Sequence, residues 1–106
     1  MNANLKGEEK MENLKEVVLT FIPKRQSDAV PGRELTALTG LSLRKLKQVI
    51  TELRKTHPIC SKEIDGGGYW IAEDENDVRE FIMMIARRRN GYNKTINRMQ
   101  RHLDDM

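Results

Sequence analysis

Apolar positions along the chain fall into helical stripes, broken once by two strand-like runs. From Lys10 onward, Met11, Leu14, Val17, Val18 and Phe21 recur at the three- and four-residue steps of one helical face. The first helix is expected to stop at Ile22, because Pro23 disfavours the α region for the residue before it. Lys24–Asp28 is a polar connection, and Ala29-Val30 has the make-up of a very short strand ahead of Pro31-Gly32. A second short helix is expected from about Arg33 to Thr39, with Leu35 and Leu38 turned inward. Gly40 follows as the residue free to take the left-handed conformation that ends a helix. In Leu41–Lys55, Leu43, Leu46, Ile50 and Leu53 share one face, and Ser42 stands where a hydroxyl caps the first turn.

His57-Pro58 closes that helix. Ile59–Ile64 and Tyr69–Ala72 then flank Asp65-Gly66-Gly67-Gly68, the form of a β-hairpin with a glycine-rich turn. Glu73–Asp77 opens a final helix, its acids placed at the positive end of the helix dipole. Val78, Ile82, Ile85, Arg89, Tyr92, Ile96, Met99 and Leu103 step 4-3-4-3-4-3-4, a sustained heptad spacing. A helix from Asp77 to Leu103 is roughly 40 Å long at 1.5 Å per residue, more than a small domain can cover. Asn90-Gly91 is the expected break or kink, since glycine in a helix interior costs about 1 kcal/mol against alanine. Val78–Ala86 is expected to pack on the preceding domain. Tyr92, Ile96, Met99 and Leu103 are left for an oligomer or partner interface, with Arg89 interrupting the seam.

Helix, helix, glycine turn, basic helix and hairpin, in that order, define the expected fold: α+β, mostly α, a winged helix-turn-helix with a long C-terminal helix. The expected division is a flexible N-terminal arm at 1–9, the winged domain at 10–73 and a helical extension at 74–106. An ordinary helical hairpin is the alternative for the second and third helices taken alone.

At 106 residues, 38% of them apolar and 33% charged, the chain has room for one thin core under a large polar surface. A net charge of +3 leans toward nucleic acid, and its distribution says more than its sum. The third helix carries Arg44, Lys45, Lys47, Arg54 and Lys55 against Glu52 alone, and residues 87–101 hold six bases with no acid. The third helix is therefore the expected recognition helix, with a merely solvated cationic face as the alternative. Arg44, Lys45, Gln48 and Thr51 are the expected base-edge readers. Arg bonds guanine bidentately and Gln does the same with adenine. Lys47, Arg54 and Lys55 are the expected phosphate contacts, which supply affinity and salt sensitivity. On the hairpin, Lys62 and Tyr69 are candidate DNA contacts. Trp70 is assigned to the core, because neighbouring strand residues point to opposite faces and the chain has one indole to bury. Arg87, Arg88 and Arg89 form a possible secondary basic patch, open also to an acidic partner or to solvent.

The run Arg33–Ile50, followed by Pro58-Ile59-Cys60-Ser61 and Gly67-Gly68-Tyr69-Trp70-Ile71-Ala72, resembles small winged-helix proteins of Gram-positive phages and prophages. The similarity spans about residues 15–90. It implies a DNA-binding helix-turn-helix with a wing, serving phage gene control or replication. The wing departs from strongly basic ones: Lys62 is its only base, and Asp65 stands at its tip.

The remaining chemistry is sparse. Cys60, His57 and His102 lie in different elements and fall short of the four ligands of a structural zinc site, so neither metal nor cofactor is expected. The triple glycine lacks the Lys-Ser/Thr of a phosphate loop, and no nucleophile–base arrangement is legible. One cysteine excludes an internal disulfide, and no apolar run approaches a membrane span, so a cytoplasmic, non-enzymatic protein is expected. Its expected partners are double-stranded DNA and, through the C-terminal helix, a second copy or another protein. The function expected is sequence-specific DNA binding in phage or prophage transcriptional regulation. A replication accessory protein and a protein-interaction module remain the alternatives.

Overall fold

The computed structural model describes residues 3–63 and 67–106, with side chains from Glu9 onward; the expected wing tip at Asp65, with Ile64 and Gly66, lies outside the described residues. Helix α1 (Ala3–Thr20) starts ahead of Lys10, where the apolar periodicity begins. Once a helix is nucleated, each added residue gains a hydrogen bond without needing an apolar face. The helix ends two residues short of Ile22. The Phe21 and Ile22 N–H groups donate to the Val18 and Leu19 carbonyls at 3.0 and 3.2 Å, tightening the last turn before Pro23. The polar connection contains a short 3-10 turn at Gln26–Asp28.

Helix α2 (Gly32–Thr39) ends as expected at Gly40, whose φ of 73° is left-handed. Helix α3 (Leu43–Leu53) is capped by Ser42, whose Oγ accepts the Lys45 N–H at 3.1 Å. Both α1 and α2 pack on α3. Val18, Ile22, Leu35, Leu46, Val49, Ile50, Leu53 and Ile59 make one buried cluster. The α3 contribution is the strict i, i+3, i+4, i+7 stripe Leu46–Val49–Ile50–Leu53, so Val49 joins the face read from the sequence and Leu43 leaves it. Leu43 is the first residue of α3 and half-exposed. A Cβ at Gly32 would lie 3.5 Å from its Cδ1 and 3.7 Å from Tyr69 Cε2, so Leu43 leans on the start of α2. Leu38 and Val17, also expected inward, are exposed: α2 is short enough to bury only Leu35, and α1 turns Val18 inward in place of Val17.

Strands β1 (Ile59–Lys62) and β2 (Gly68–Ile71) pair antiparallel, with Cys60 opposite Trp70 and Ser61 opposite Tyr69. The expected strand at Ala29-Val30 is a single bridge, Val30 and Tyr69 exchanging N–H···O bonds of 3.1 and 2.9 Å. Gly68 makes that approach possible. Its φ is +142°, and a Cβ there would sit 2.9 Å from Ala29 Cβ and 3.0 Å from its carbonyl carbon. Trp70 is buried, as expected, and so is Cys60.

Helix α4 (Glu75–Asp105) is capped by Asp74, whose Oδ1 accepts the Asp77 N–H at 2.9 Å, while Asp77 Oδ2 accepts the Glu73 N–H at 3.1 Å. The helix runs without interruption through Asn90-Gly91, where a break was expected. Its first half packs on β1, yet not by the heptad seam. Asp77, Val78, Phe81, Met84, Ala86 and Arg88 are the half-buried positions, Val78 being the one seam residue among them, whereas Ile82 and Ile85 are 59% and 42% exposed. The packing stripe lies roughly 100° around the helix from the seam, one residue's rotation at 3.6 residues per turn. From Arg89 to Met106 every residue is exposed. Among the described residues no helix is long and apolar enough to cross a membrane.

Candidate nucleic-acid interface

Burying Leu46, Val49, Ile50 and Leu53 leaves α3 a solvent face of fixed composition. Arg44, Lys47, Gln48 and Thr51 are exposed on it, and Lys45 is half-buried. The Ser42 cap and the packing of α1 and α2 hold this face on a rigid element. Thr51 donates its hydroxyl hydrogen to the Lys47 carbonyl at 2.9 Å, which leaves its oxygen only accepting capacity toward a ligand. Lys55 is paired with Glu52 at 3.0 Å on the exposed surface.

Arg54 has a different setting from the other cations of α3. Its Nε donates to the Ile59 carbonyl at 3.0 Å, its Nη2 reaches Ser61 Oγ at 3.4 Å, and the guanidinium lies 5.1 Å from the Phe81 ring centroid. Desolvation by burial lowers its pKa from the ordinary arginine value, and nearby Tyr69 and Cys60 oppose that shift. Arg54 thus ties α3, β1 and α4 together, and a phosphate contact would have to compete with these bonds. Burial likewise pushes the Cys60 thiol above its ordinary value, with Asp77 adding and Arg54 opposing, so this cysteine is a neutral core group.

Between α3 and the hairpin runs a groove of about 300 Å³, bordered by Gly32, Lys47, Ser61, Lys62, Glu63, Gly67, Gly68, Tyr69 and Arg88. It brings Lys47 of α3 together with Lys62 and Tyr69 of the hairpin, a juxtaposition the sequence did not show. Arg88 is its unexpected member: the guanidinium bonds Glu63 Oε1 at 2.7 Å and closes the groove from α4. A charge pair twenty-five positions apart, joining the hairpin to a later helix, leaves no periodic signal in the sequence. Tyr69 sits half-buried against the core edge with its ring beside Gly32.

The three consecutive arginines do not make one patch. Successive residues of a helix turn by roughly 100°, so each arginine serves a different face. Arg88 faces the wing groove. Arg87 borders a second cavity, of about 320 Å³, with Trp70, Phe81 and Met84. Arg89 lies with Phe81, Ile82, Ile85 and Ala86 on the outer side of α4. The Trp70 Nε1–H is buried without an acceptor among the described residues. Tyr92, Ile96, Met99 and Leu103 are 61–69% exposed and touch none of these sites.

Two helices joined through Gly40, an exposed basic face on the second of them and a β-hairpin beside it define a winged helix-turn-helix. Among curated proteins, the chain is similar to the HTH-type transcriptional regulator IscR of Photobacterium profundum, at 34% identity over 61 residues and 58% of this chain. The chain spans only 36% of that relative's length. No family model matches the chain, and no solved structure matches it.

Proposed function

We propose that this protein binds double-stranded DNA in a sequence-selective way and acts by binding, as a transcriptional regulator of a phage or prophage. The observation that carries the reading is the exposed face of α3, where Arg44, Lys47 and Gln48 project from a capped helix beside a groove containing two further cations. In this reading α3 enters the major groove, with Arg44, Lys45, Gln48 and Thr51 toward base edges. Lys47, Lys62 and Lys55 hold phosphates, and Arg88 joins them by exchanging Glu63 for a phosphate oxygen. Similarity to a helix-turn-helix regulator supports the same class of activity. A site selected from a random duplex pool is the test. Gln48→Ala and Arg44→Ala should each relax one position of that site at a cost of about 1–3 kcal/mol. Unchanged affinity and selectivity in both variants would refute the placement of α3.

A second reading is favoured by the exposed apolar stripe on α4. In it the winged domain is a scaffold, or a replication accessory, and α4 recruits another protein. Salt-dependent binding to duplex DNA separates DNA-binding roles from a pure interaction module, which would show none at low salt.

A further inference from the structure

The seam of α4 faces away from the domain and is bare from Ile82 onward. Ile82, Ile85, Tyr92, Ile96, Met99 and Leu103 are between 42% and 69% exposed, whereas the half-buried contacts of the helix lie on another stripe. A helix that packs by one stripe and carries a second apolar stripe at heptad spacing has two partners, and the winged domain is only the first.

We propose that the second partner is the α4 helix of another copy of this chain, paired antiparallel and centred between Arg89 and Tyr92. This rests on the partner role given to α4 above and names its occupant and direction. Arg89 decides the direction. It is the one charged side chain in the seam, and a parallel pair would set it against its own copy, two cations in an apolar layer. Antiparallel pairing sets each Arg89 beside the other copy's Tyr92, where a guanidinium can lie on the ring face. The same register places Val78 opposite Leu103, Ile82 opposite Met99 and Ile85 opposite Ile96, so the remaining layers are apolar throughout.

One further observation fits this register. An apolar groove of about 300 Å³ lies along Phe81, Ile82, Ile85, Ala86 and Arg89, level with the residues at which the second copy presents Tyr92, Ile96 and Met99. The seam from Val78 to Leu103 extends about 38 Å at 1.5 Å per residue. That length of paired helix is suited to an interface of standard size, roughly 800 Å² per partner.

Sedimentation of the 106-residue chain without DNA tests the pairing. The expected result is a mass that rises to twice the monomer with concentration, and a monomer for Ile96→Asp with the Trp70 fluorescence of the folded domain retained. Direction is read by disulfide formation, for which the wild-type chain is a suitable background because Cys60 is buried. Ile85→Cys with Ile96→Cys in one chain should give covalent dimers on oxidation, and neither single variant should. A monomer at every concentration, a dimer that survives Ile96→Asp, or efficient self-linking of Ile96→Cys alone would overturn the proposal. Because DNA is absent throughout, each of these failures leaves the proposed DNA binding to its own assay.

Discussion

Arg54 shows how packing can add a task that residue type and position do not suggest. In sequence it is one of five cations on a basic helix; in the fold its guanidinium bonds Ile59 and Ser61 and covers Phe81. Lysine cannot reproduce a planar fork that bonds and stacks at once. Arg54→Ala is therefore expected to lower stability by about 1–3 kcal/mol in a denaturant titration, and to leave the salt dependence of DNA binding unchanged. Lys47→Ala should do the opposite: stability within about 0.5 kcal/mol of wild type, and a salt slope reduced by about one. If Arg54→Ala lowered the slope and left stability alone, the phosphate role read from the sequence would stand. Residues of the other kind were legible without the fold. Trp70 and Leu35 are buried where strand alternation and helical spacing placed them, and Ser42 and Gly40 cap as their chemistry requires.

At the scale of elements, boundaries followed local chemistry and faces did not always follow periodicity. The α3 stripe was legible to within one residue, because four apolar positions at helical spacing admit few rotations of the helix. The α4 seam was legible as a pattern, but its direction was not. Either Ile82 and Ile85 or Phe81 and Met84 could have met the hairpin, and only the position of β1 selects the second pair. Asn90-Gly91 was expected to break α4, yet the intrinsic cost of one glycine is small against the hydrogen bonds of a 31-residue helix. That cost is still measurable. A Cβ at Gly91 meets nothing within 4 Å, so Gly91→Ala should add about 1 kcal/mol of local helix stability, seen as stronger amide-exchange protection around Tyr92. A loss of protection would show that Gly91 serves a bend or a close approach.

At the scale of the molecule, one small core serves a helix far longer than it can cover. Nothing from Arg89 to Met106 is buried, while Phe81 and Met84 border Trp70 and Phe81 supports Arg54. Removing residues 89–106 should therefore leave the unfolding midpoint nearly unchanged in dilute solution, where copies are unpaired. Removing residues from 78 onward should lower it, by stripping cover from Trp70 and Arg54. A large loss from the shorter deletion would mean that the distal helix contacts its own domain. The same geometry separates the two proposed activities in space, DNA at α3 and the hairpin, a second copy along the far side of α4.

The sequence by itself determined the order of elements, the caps, the main core residues and the basic character of α3, because these depend on interactions between near neighbours or on residue chemistry alone. Only the tertiary structure decided which cations are committed to the fold and which stripe of α4 is covered. It joined Lys47, Lys62 and Arg88 at one groove, bonded Arg54 to β1, and dealt Arg87, Arg88 and Arg89 to three faces. The reason is physical. A side chain's partners across the fold are set by where whole elements dock, and that docking is decided by the sum of the burial around Leu46, Ile50 and Trp70, in which no single local pattern takes part.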